Sequence, residues 1–396
     1  GIPQPPGAAV RSIEEALSTA QVIGYPVLVR PSYVIGGRAM EIVHNPAELA
    51  RFVQRAAEID DKKVVLIDKY LEGKEVEVDA ICDGENVLIP GVMEHIERAG
   101  VHSGDAMTVY PGLGLTEHEV KTLVRYTTAI GRALGTRGLM NVQYVIMRNG
   151  HGSEVYVIEV NPRASRTVPF ISKITGVPMV KVAVSVMLGK SLAEQGYPGG
   201  LWKKQPLVGI KAPVFSMSKL PGVDTYLGPE MKSTGEVMGV DHDFAGALIK
   251  SLIAAGAMVP PRKGSILLSL ADRDKAQAVS MIKKLAQMEY SIYATEGTAA
   301  TIEALGIPVT KISKKIHEGH PNVLDIINDG TVNVVINTPT GGRDSLQDGF
   351  QIRRAATERR IPCFTYIDAV RVAVDLLAEK YQGYSVLPIG EYRRTK

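Results

Sequence analysis

The stretch from Asn141 to Arg163 constrains this chain most. Two runs rich in Val, Ile and Tyr flank Asn149-Gly150-His151-Gly152-Ser153, and β-branched or aromatic runs around a Gly-rich tip predict a β-hairpin. Side chains alternate along a strand, so Glu159 and Asn161 share a face, and a turn centred on His151 sets Gln143 opposite Glu159. Three oxygen-bearing side chains then lie together, with Arg163 just beyond. That set suits Mg²⁺, which takes one or two carboxylates and completes its shell with substrate phosphates. The same residues also fit a two-faced hairpin whose outer side is simply polar.

With 396 residues, the chain exceeds one ordinary core and predicts two or three domains. A net charge of +3 leaves no electrostatic footprint for nucleic acid. Cys82 and Cys363 sit in separate apolar runs, which predicts buried free thiols and a reducing, cytoplasmic setting. No apolar run approaches the roughly 18 residues of a membrane span, and no signal peptide precedes Gly1. Gly1–Pro6 reads as a loop entering a domain already under way.

Upstream of the hairpin, Ser12-Ile-Glu-Glu15 opens a helix that Gly24 closes. A strand over Tyr25–Arg30 leads into a loop, Pro31–Met40, that contains Gly36 and Gly37. Asn45-Pro46 starts a second helix, and Val64–Asp68 is the next strand. The glycine pair lets backbone approach a polyphosphate, and Arg30 and Arg38 supply charge-assisted donors, although a plain turn is the default reading of such a pair. The spacing of a Walker loop is absent. Glu75, Glu77 and Asp79 alternate with apolar residues, predicting a half-buried strand with three carboxylates on one face, or a solvated edge strand. Glu94–Asp105 is expected to be a polar loop between Gly-rich turns. Thr116–Glu119 caps a helix running to about Leu134. Lys173–Leu188 is expected to be helical and packed on the sheet. A strand at Val208–Phe215 and a helix at Phe244–Gly256 follow.

Pro260-Pro261-Arg262-Lys263-Gly264 is the clearest linker. Beyond it, strands at Ser265–Ser269, Ser291–Ala294, Val332–Asn337 and Pro362–Tyr366 alternate with helices at Asp274–Met288, Ala299–Leu305 and Ile367–Lys380. That rhythm predicts a doubly wound parallel sheet with ligands at its strand C-termini. Thr295 and Thr298 fall at a strand end and helix start, where backbone N–H groups favour phosphate. Helix capping is the competing explanation; Lys275 and Lys315, both near strand ends, favour phosphate.

Val29–Val43, Glu94–Asp105, Ile158–Phe170 and Leu227–Gly239, in this order, resemble the C-terminal part of the large subunit of carbamoyl-phosphate synthase. The resemblance implies a fold of mixed α/β and α+β class. It consists of an ATP-grasp unit with a small subdomain over 1–70 and a large one over 71–256, a linker over 257–264, and a methylglyoxal-synthase-like regulatory domain over 265–396. The ATP-grasp part would phosphorylate carbamate with a second ATP, serving arginine and pyrimidine biosynthesis. By resemblance Arg30 holds phosphates, the Gly36–Met40 loop closes over them, and Met40 packs near the base. Backbone around Ile67–Tyr70, including Asp68 and Tyr70, meets the adenine edge. Glu75 binds ribose, while His102 and Ser103 line the pocket. Gln143, Glu159 and Asn161 hold Mg²⁺ or Mn²⁺, K⁺ is a further candidate ion, and Arg163 and Arg166 take the carbamate and the transferred phosphoryl group. The regulatory domain binds a nucleotide such as UMP or IMP through Lys275, Thr295, Thr298, Lys315 and Asn337.

Three departures from the family bear on function. The pattern at the end of the Val332–Asn337 strand reads Asn337-Thr338-Pro339, one hydroxyl short. The Gly-rich, aspartate-containing stretch of a true methylglyoxal synthase is absent around Ser313–Pro321, which argues against lyase activity. Ala212 stands where ornithine-activated members carry an acid, although Glu97 and Asp105 match other parts of that site. The implied partners are the N-terminal synthetase half and a glutaminase small subunit. Without them the chain is expected not to make carbamoyl phosphate from bicarbonate and glutamine, and a module that binds nucleotides without turnover is the alternative. A third reading, a relative of biotin carboxylase, predicts no α/β domain after the linker.

Overall fold

The computed structural model describes residues 1–31, 37, 40–59, 64–150, 152–217, 223–259, 263–314, 319–339, 343–378 and 384–394, with backbone alone for 55–59 and 343–347. Two compact units emerge: Gly1–Lys211 with Gly228–Met231 and Leu387–Lys396, and Ala212–Leu227 with Lys232–Val386.

The first unit begins with a small antiparallel sheet. Its elements are β1 (Gly7–Val10), α1 (Ile13–Ile23), β2 (Val27–Pro31), β3 (Glu41–Val43), α2 (Pro46–Ile59) and β4 (Val65–Lys69), with strand order β1-β4-β2-β3. Ser12 caps α1 by accepting from Glu15 N at 3.1 Å, and Gly24, at φ 77°, ends it in a conformation that costs a side chain dearly. Every second strand residue (Val27, Val29, Val65, Ile67) buries against Ala16, Ala20, Leu49 and Phe52 of the helices. Each such aliphatic burial contributes about 1.5–3 kcal/mol.

A larger sheet follows, built from β5 (Lys74–Asp83), β6 (Val87–Arg98), β7 (Thr108–Tyr110), β8 (Arg137–Asn149), β9 (Gly152–Asn161), β10 (Gly200–Leu201) and β11 (Val208–Val214). Its order is β11-β7-β6-β5-β8-β9, with β10 added beside β6. Helix α3 (Glu117–Ala133) starts at a capping box in which Thr116 and Glu119 satisfy each other's amides. It covers the apolar face, where Val76, Val78, Ala80 and Cys82 meet Leu123. Helices α4 (Val168–Thr175) and α5 (Met179–Met187) come next.

Three expectations for this unit need correction. The Glu75–Asp79 strand is neither half-buried nor an edge, because β5 lies between β6 and β8 and all three acids are at most 3% exposed. Glu94–Glu97 belongs to strand β6 and is not loop, since its backbone pairs with β5 and β7. The apolar Lys173–Leu188 segment is two helices meeting at 110°, broken where Gly176 adopts φ 78° just before Pro178. Among the described residues no single helix is long and apolar enough to cross a membrane.

In the second unit, β12 (Gly235–Asp241) packs with α6 (Phe244–Ala255), which Asp243 caps through Gly246 N at 2.7 Å. The elements after it are β13 (Ser265–Ser269), α7 (Asp272–Gln287), β14 (Ser291–Thr295), α8 (Glu296–Glu303), β15 (Thr310–Ile312), α9 (Val323–Asn328), β16 (Val334–Asn337), α10 (Arg343–Glu358), β17 (Cys363–Phe364) and α11 (Ile367–Ala378). The chain closes with α12 (Ile389–Tyr392), which belongs to the first unit. The five strands are all parallel in the order β15-β14-β13-β16-β17. The order reverses at β13, so the ends of β13, β14 and β16 meet at the switch point where such sheets bind ligands. Of the linker, Pro260–Arg262 lie outside the described residues.

Candidate functional site

A cleft of about 810 Å³ opens in the first unit between the small sheet and the acid-bearing face of the large one. Arg30, Met40, Asp68, Tyr70, Glu75, His102, Ser103, Gln143, Glu159, Arg163 and Arg166 all line it; Asn161 is described but is not among the lining residues.

The hairpin supplies one wall. Its tip pairs Asn149 with Gly152, so the turn centres before His151, which itself lies outside the described residues. Uncorrected, that shift would move Glu159 away from Gln143. The ladder instead slips by one residue, leaving Ile158 unpaired, and Gln143 pairs with Glu159 and Asn141 with Asn161. Gln143 Nε2 donates to Ser103 Oγ at 3.0 Å, so its amide oxygen is the group left for a ligand. Asn161 Nδ2 is buried without a protein partner among the described residues. A half-turn of that amide presents oxygen instead. Two amide oxygens and one carboxylate fit a hard cation that also needs phosphate ligands, so the residues present suit Mg²⁺.

The second wall is the His102–Ser103 turn. Ser103 O accepts from Nζ of the buried Lys211 at 2.9 Å, and His102 N donates to Gly228 O at 2.8 Å. His102 Nδ1 accepts from Gly104 N at 3.0 Å, which leaves the ring proton on Nε2. Burial holds this imidazole below its usual range, so it stays neutral.

Beneath lies a buried polar layer. Glu75 is pushed up to about 7 by burial, with Glu77 and Glu159 adding repulsion and His95 opposing. His95 sits between the two, 3.6 Å from Glu75 and 3.4 Å from Glu77. Burial lowers its affinity for a proton, but the two glutamates outweigh that and raise it. Glu97 accepts from Met107 N at 2.8 Å, and burial takes it to about 7. Asp105 is likewise fully buried.

At the outer rim, Arg30 Nε donates to Asp68 Oδ2 at 3.0 Å. In the Ile67–Tyr70 backbone, Lys69 N donates to Pro6 O at 2.7 Å and Tyr70 N to Pro26 O at 3.2 Å. Tyr70 OH is committed to Ala99 O. Of the Gly36–Met40 loop only Gly37 and Met40 are described. Gly37 lies so close to Pro229 that a Cβ there would sit 1.9 Å from its carbonyl oxygen. Sequence reasoning missed Gln4, Pro5, Asn141, Ser165, Thr167 and Met231 as lining residues. Ser165 and Thr167 flank Arg166, the one spacing that could have flagged them.

In the second unit, four of the five expected effector residues gather at the strand ends. Thr295 Oγ1 lies 3.4 Å from Ser269 Oγ, and Asn337 Nδ2 donates to Ser269 O at 3.4 Å. Thr298 Oγ1 accepts from Leu270 N at 2.9 Å, spending one lone pair on the backbone. Lys275 pairs with Asp272 at 2.7 Å, and its Nζ lies 3.2 Å from the place a Cβ on Gly297 would take. Lys315 lies outside the described residues. Its neighbour Lys314 is half-buried, with its affinity for a proton lowered by burial. Sequence reasoning also missed Arg353, which is 1% exposed and gives Nη1 to Asn337 Oδ1 at 2.5 Å and a fork to Asp224 at 2.6 and 2.5 Å. Nothing local marks it among the arginines of α10.

Fold and cleft together define an ATP-grasp protein joined to a methylglyoxal-synthase-like domain. Residues 1–195 match the family described as carbamoyl-phosphate synthase L chain, ATP binding domain, and residues 277–365 match the MGS-like domain. The chain is 56% identical over 393 residues to the carbamoyl phosphate synthase large chain of Thermomicrobium roseum, covering 99% of this chain and 36% of that one. It is 50% identical over 392 residues, with the same coverage, to the large chain of a Thermoanaerobacter species. The chain belongs to the carbamoyl-phosphate synthase large-chain family and matches its C-terminal part, spanning about a third of the relatives' length. Among solved structures, biotin carboxylase of Campylobacter jejuni in a β-γ-ATP complex aligns at 21% identity and TM-score 0.50, over 64% of this chain and 62% of that one. The biotin carboxylase domain of Hydrogenobacter thermophilus 2-oxoglutarate carboxylase, with MgADP and bicarbonate, aligns at 20% identity and TM-score 0.50, over 65% and 61%. These two share the fold.

Proposed function

We propose that this chain is the carbamate-phosphorylating portion of a cytoplasmic carbamoyl-phosphate synthase, with a nucleotide-responsive regulatory domain at its C-terminal end. The reading uses the division into 1–70, 71–256, 257–264 and 265–396. The reaction forms a bond between a carbamate oxygen and the γ-phosphorus of ATP and breaks the bond to ADP, yielding carbamoyl phosphate. The carrying observation is that Gln143, Glu159, Arg163 and Arg166 share one cleft. Gln143, Glu159 and Asn161 would hold Mg²⁺ or Mn²⁺, which supplies charge neutralisation at the phosphates. Arg30, steered by Asp68, would bind the phosphate tail, Glu75 the ribose, and Met40 would pack near the base, lined by His102 and Ser103. Arg163 and Arg166 would meet carbamate and the moving phosphoryl group. No protein nucleophile is required, because such transfers are catalysed by positioning and charge neutralisation.

The N-terminal synthetase half and a glutaminase small subunit would supply carbamate, and the product would enter arginine and pyrimidine biosynthesis. K⁺ is a further candidate ion. In the regulatory domain, Lys275, Thr295, Thr298, Lys315 and Asn337 would take the phosphate of UMP or IMP at the strand ends. Titration calorimetry with ATP–Mg²⁺, and separately with UMP and IMP, tests both halves of the proposal. Heat from ATP–Mg²⁺ that disappears in Glu159→Ala is the expected result. No ATP binding, with effector binding retained, would reduce the chain to the alternative, a binding module without turnover.

A further inference from the structure

We infer that Asp79 is a positioning residue for phosphoryl transfer, fixing the loop that carries Arg163 and Arg166. Asp79 is 1% exposed and does not line the cleft. It nevertheless binds two residues that do. Its Oδ1 accepts from Ser165 Oγ at 2.6 Å and its Oδ2 from Thr167 Oγ1 at 2.5 Å. Ser165 and Thr167 bracket Arg166, and their hydroxyls lie 2.8 Å apart. One carboxylate therefore grips the chain on both sides of that arginine.

The grip is itself braced. Asn141 Nδ2 donates to Asp79 Oδ1 at 2.9 Å and to Glu77 Oε1 at 2.7 Å, and Thr167 Oγ1 also lies 3.2 Å from Glu77 Oε1. Asn141 pairs across the ladder with Asn161, where the loop begins, and Thr167 O accepts from Ile171 N at 2.8 Å, where α4 begins. The loop is thus tied at its start, its middle and its end. Such ties matter because Arg163 is exposed and Arg166 is partly so. A long guanidinium side chain carries about 2 kcal/mol of rotamer entropy, so a backbone fixed in advance reduces what substrate binding must order. A displacement near 1 Å at a reacting group can cost about a hundredfold in rate.

This inference rests on the phosphoryl-transfer reading, so the experiment carries a control for that reading. In the full-length assembly, Asp79→Asn, Thr167→Val, Thr167→Ser and Glu159→Ala are compared. For each, carbamoyl-phosphate formation, ATP formation from carbamoyl phosphate and ADP, the affinity for ATP–Mg²⁺, and the unfolding midpoint are measured. Asp79→Asn and Thr167→Val are expected to lower kcat by roughly tenfold to a hundredfold. Affinity for ATP–Mg²⁺ stays within about twofold, the signature of an interaction used in the transition state. Thr167→Ser, which keeps the hydroxyl, is expected to retain kcat. Wild-type kcat in Asp79→Asn and Thr167→Val, with Glu159→Ala inactive, would overturn the inference alone. So would a joint fall of kcat, ATP affinity and unfolding midpoint, which marks a role in folding only. Should Asp79→Asn fail to fold, the Thr167 pair decides. An active Glu159→Ala would overturn the phosphoryl-transfer reading, and this inference with it.

Discussion

Gln143 faces Glu159 because β9 carries one residue more than β8 can pair. Between the tip and Tyr144 the partners run Asn149–Gly152 to Tyr144–Val157; then Ile158 is skipped and Gln143 meets Glu159. In a regular ladder Gln143 would face Ile158, and Glu159 would point to the opposite side of the sheet, towards α3. Because strand periodicity is two, a slip of one residue exchanges faces completely. Bulges of this kind re-aim side chains beside active sites. Here the bulge delivers the carboxylate to the cleft, and Ile158 itself lines that cleft.

Glu159→Ala in the full-length assembly is expected to abolish carbamate phosphorylation. Even outer-shell partners of a metal ligand are worth roughly 10–100-fold, so a direct ligand should cost more than about a hundredfold. Carbamoyl-phosphate formation is the measurement, and a wild-type rate would refute the metal assignment.

Glu97 links stability to pH. Burial raises its carboxyl from an ordinary 4.5 to about 7. Between those values the folded chain keeps a proton that the unfolded chain has released, so stability contributed by this group falls as pH rises through the window and is level above it. Glu97→Gln keeps an acceptor for Met107 N but has no proton to lose. The difference in Tm, variant minus wild type, should therefore become more positive between about pH 5 and 7.5. A difference independent of pH would show that Glu97 does not titrate there.

Arg353→Met would strand Asp224, whose two oxygens both accept from that guanidinium. Breaking a buried pair costs about 3–5 kcal/mol, and Asp224 retains 30% side-chain exposure, which favours the lower end of that range. Denaturant unfolding should report a loss of about 3 kcal/mol, with part recovered when Asp224→Asn is added. No recovery would mean that Arg353 acts through packing or Asn337.

Gly91 tests the packing beneath the cleft. It pairs with Asp79 across β5 and β6, and an added Cβ would lie 2.4 Å from the Tyr110 ring. Tyr110 is 2% exposed and its hydroxyl accepts from Gln205 N at 3.1 Å, so the ring has little room to retreat. Gly91→Ala should destabilise by about 1–3 kcal/mol, the cost of overpacking. Urea unfolding at unchanged slope is the check.

Much of the architecture was legible because local physics sets it. Ser12 and Thr116 each cap a helix by accepting from an amide three residues on, and the strand–helix rhythm after the linker marks a parallel sheet. What misled was polarity without context. Glu75, Glu77 and Asp79 read as a water-facing row, yet they are buried because their partners (His95, Asn141, Ser165, Thr167) arrive from three other segments. Glu94–Glu97 read as loop for the same reason. The apolar Lys173–Leu188 run concealed a break that its Gly176-Val177-Pro178 could have signalled.

The sequence by itself determined the helix ends, the hairpin, the two kinds of sheet and the family likeness, since each depends on residues close together or in a recognisable order. Only the tertiary structure decided the skipped Ile158, the burial of Asp79 under the arginine loop and the fork from Arg353 to Asp224. Those depend on which distant groups share one dry space. A buried polar atom is stable only where a partner meets it, and no local pattern names that partner in advance.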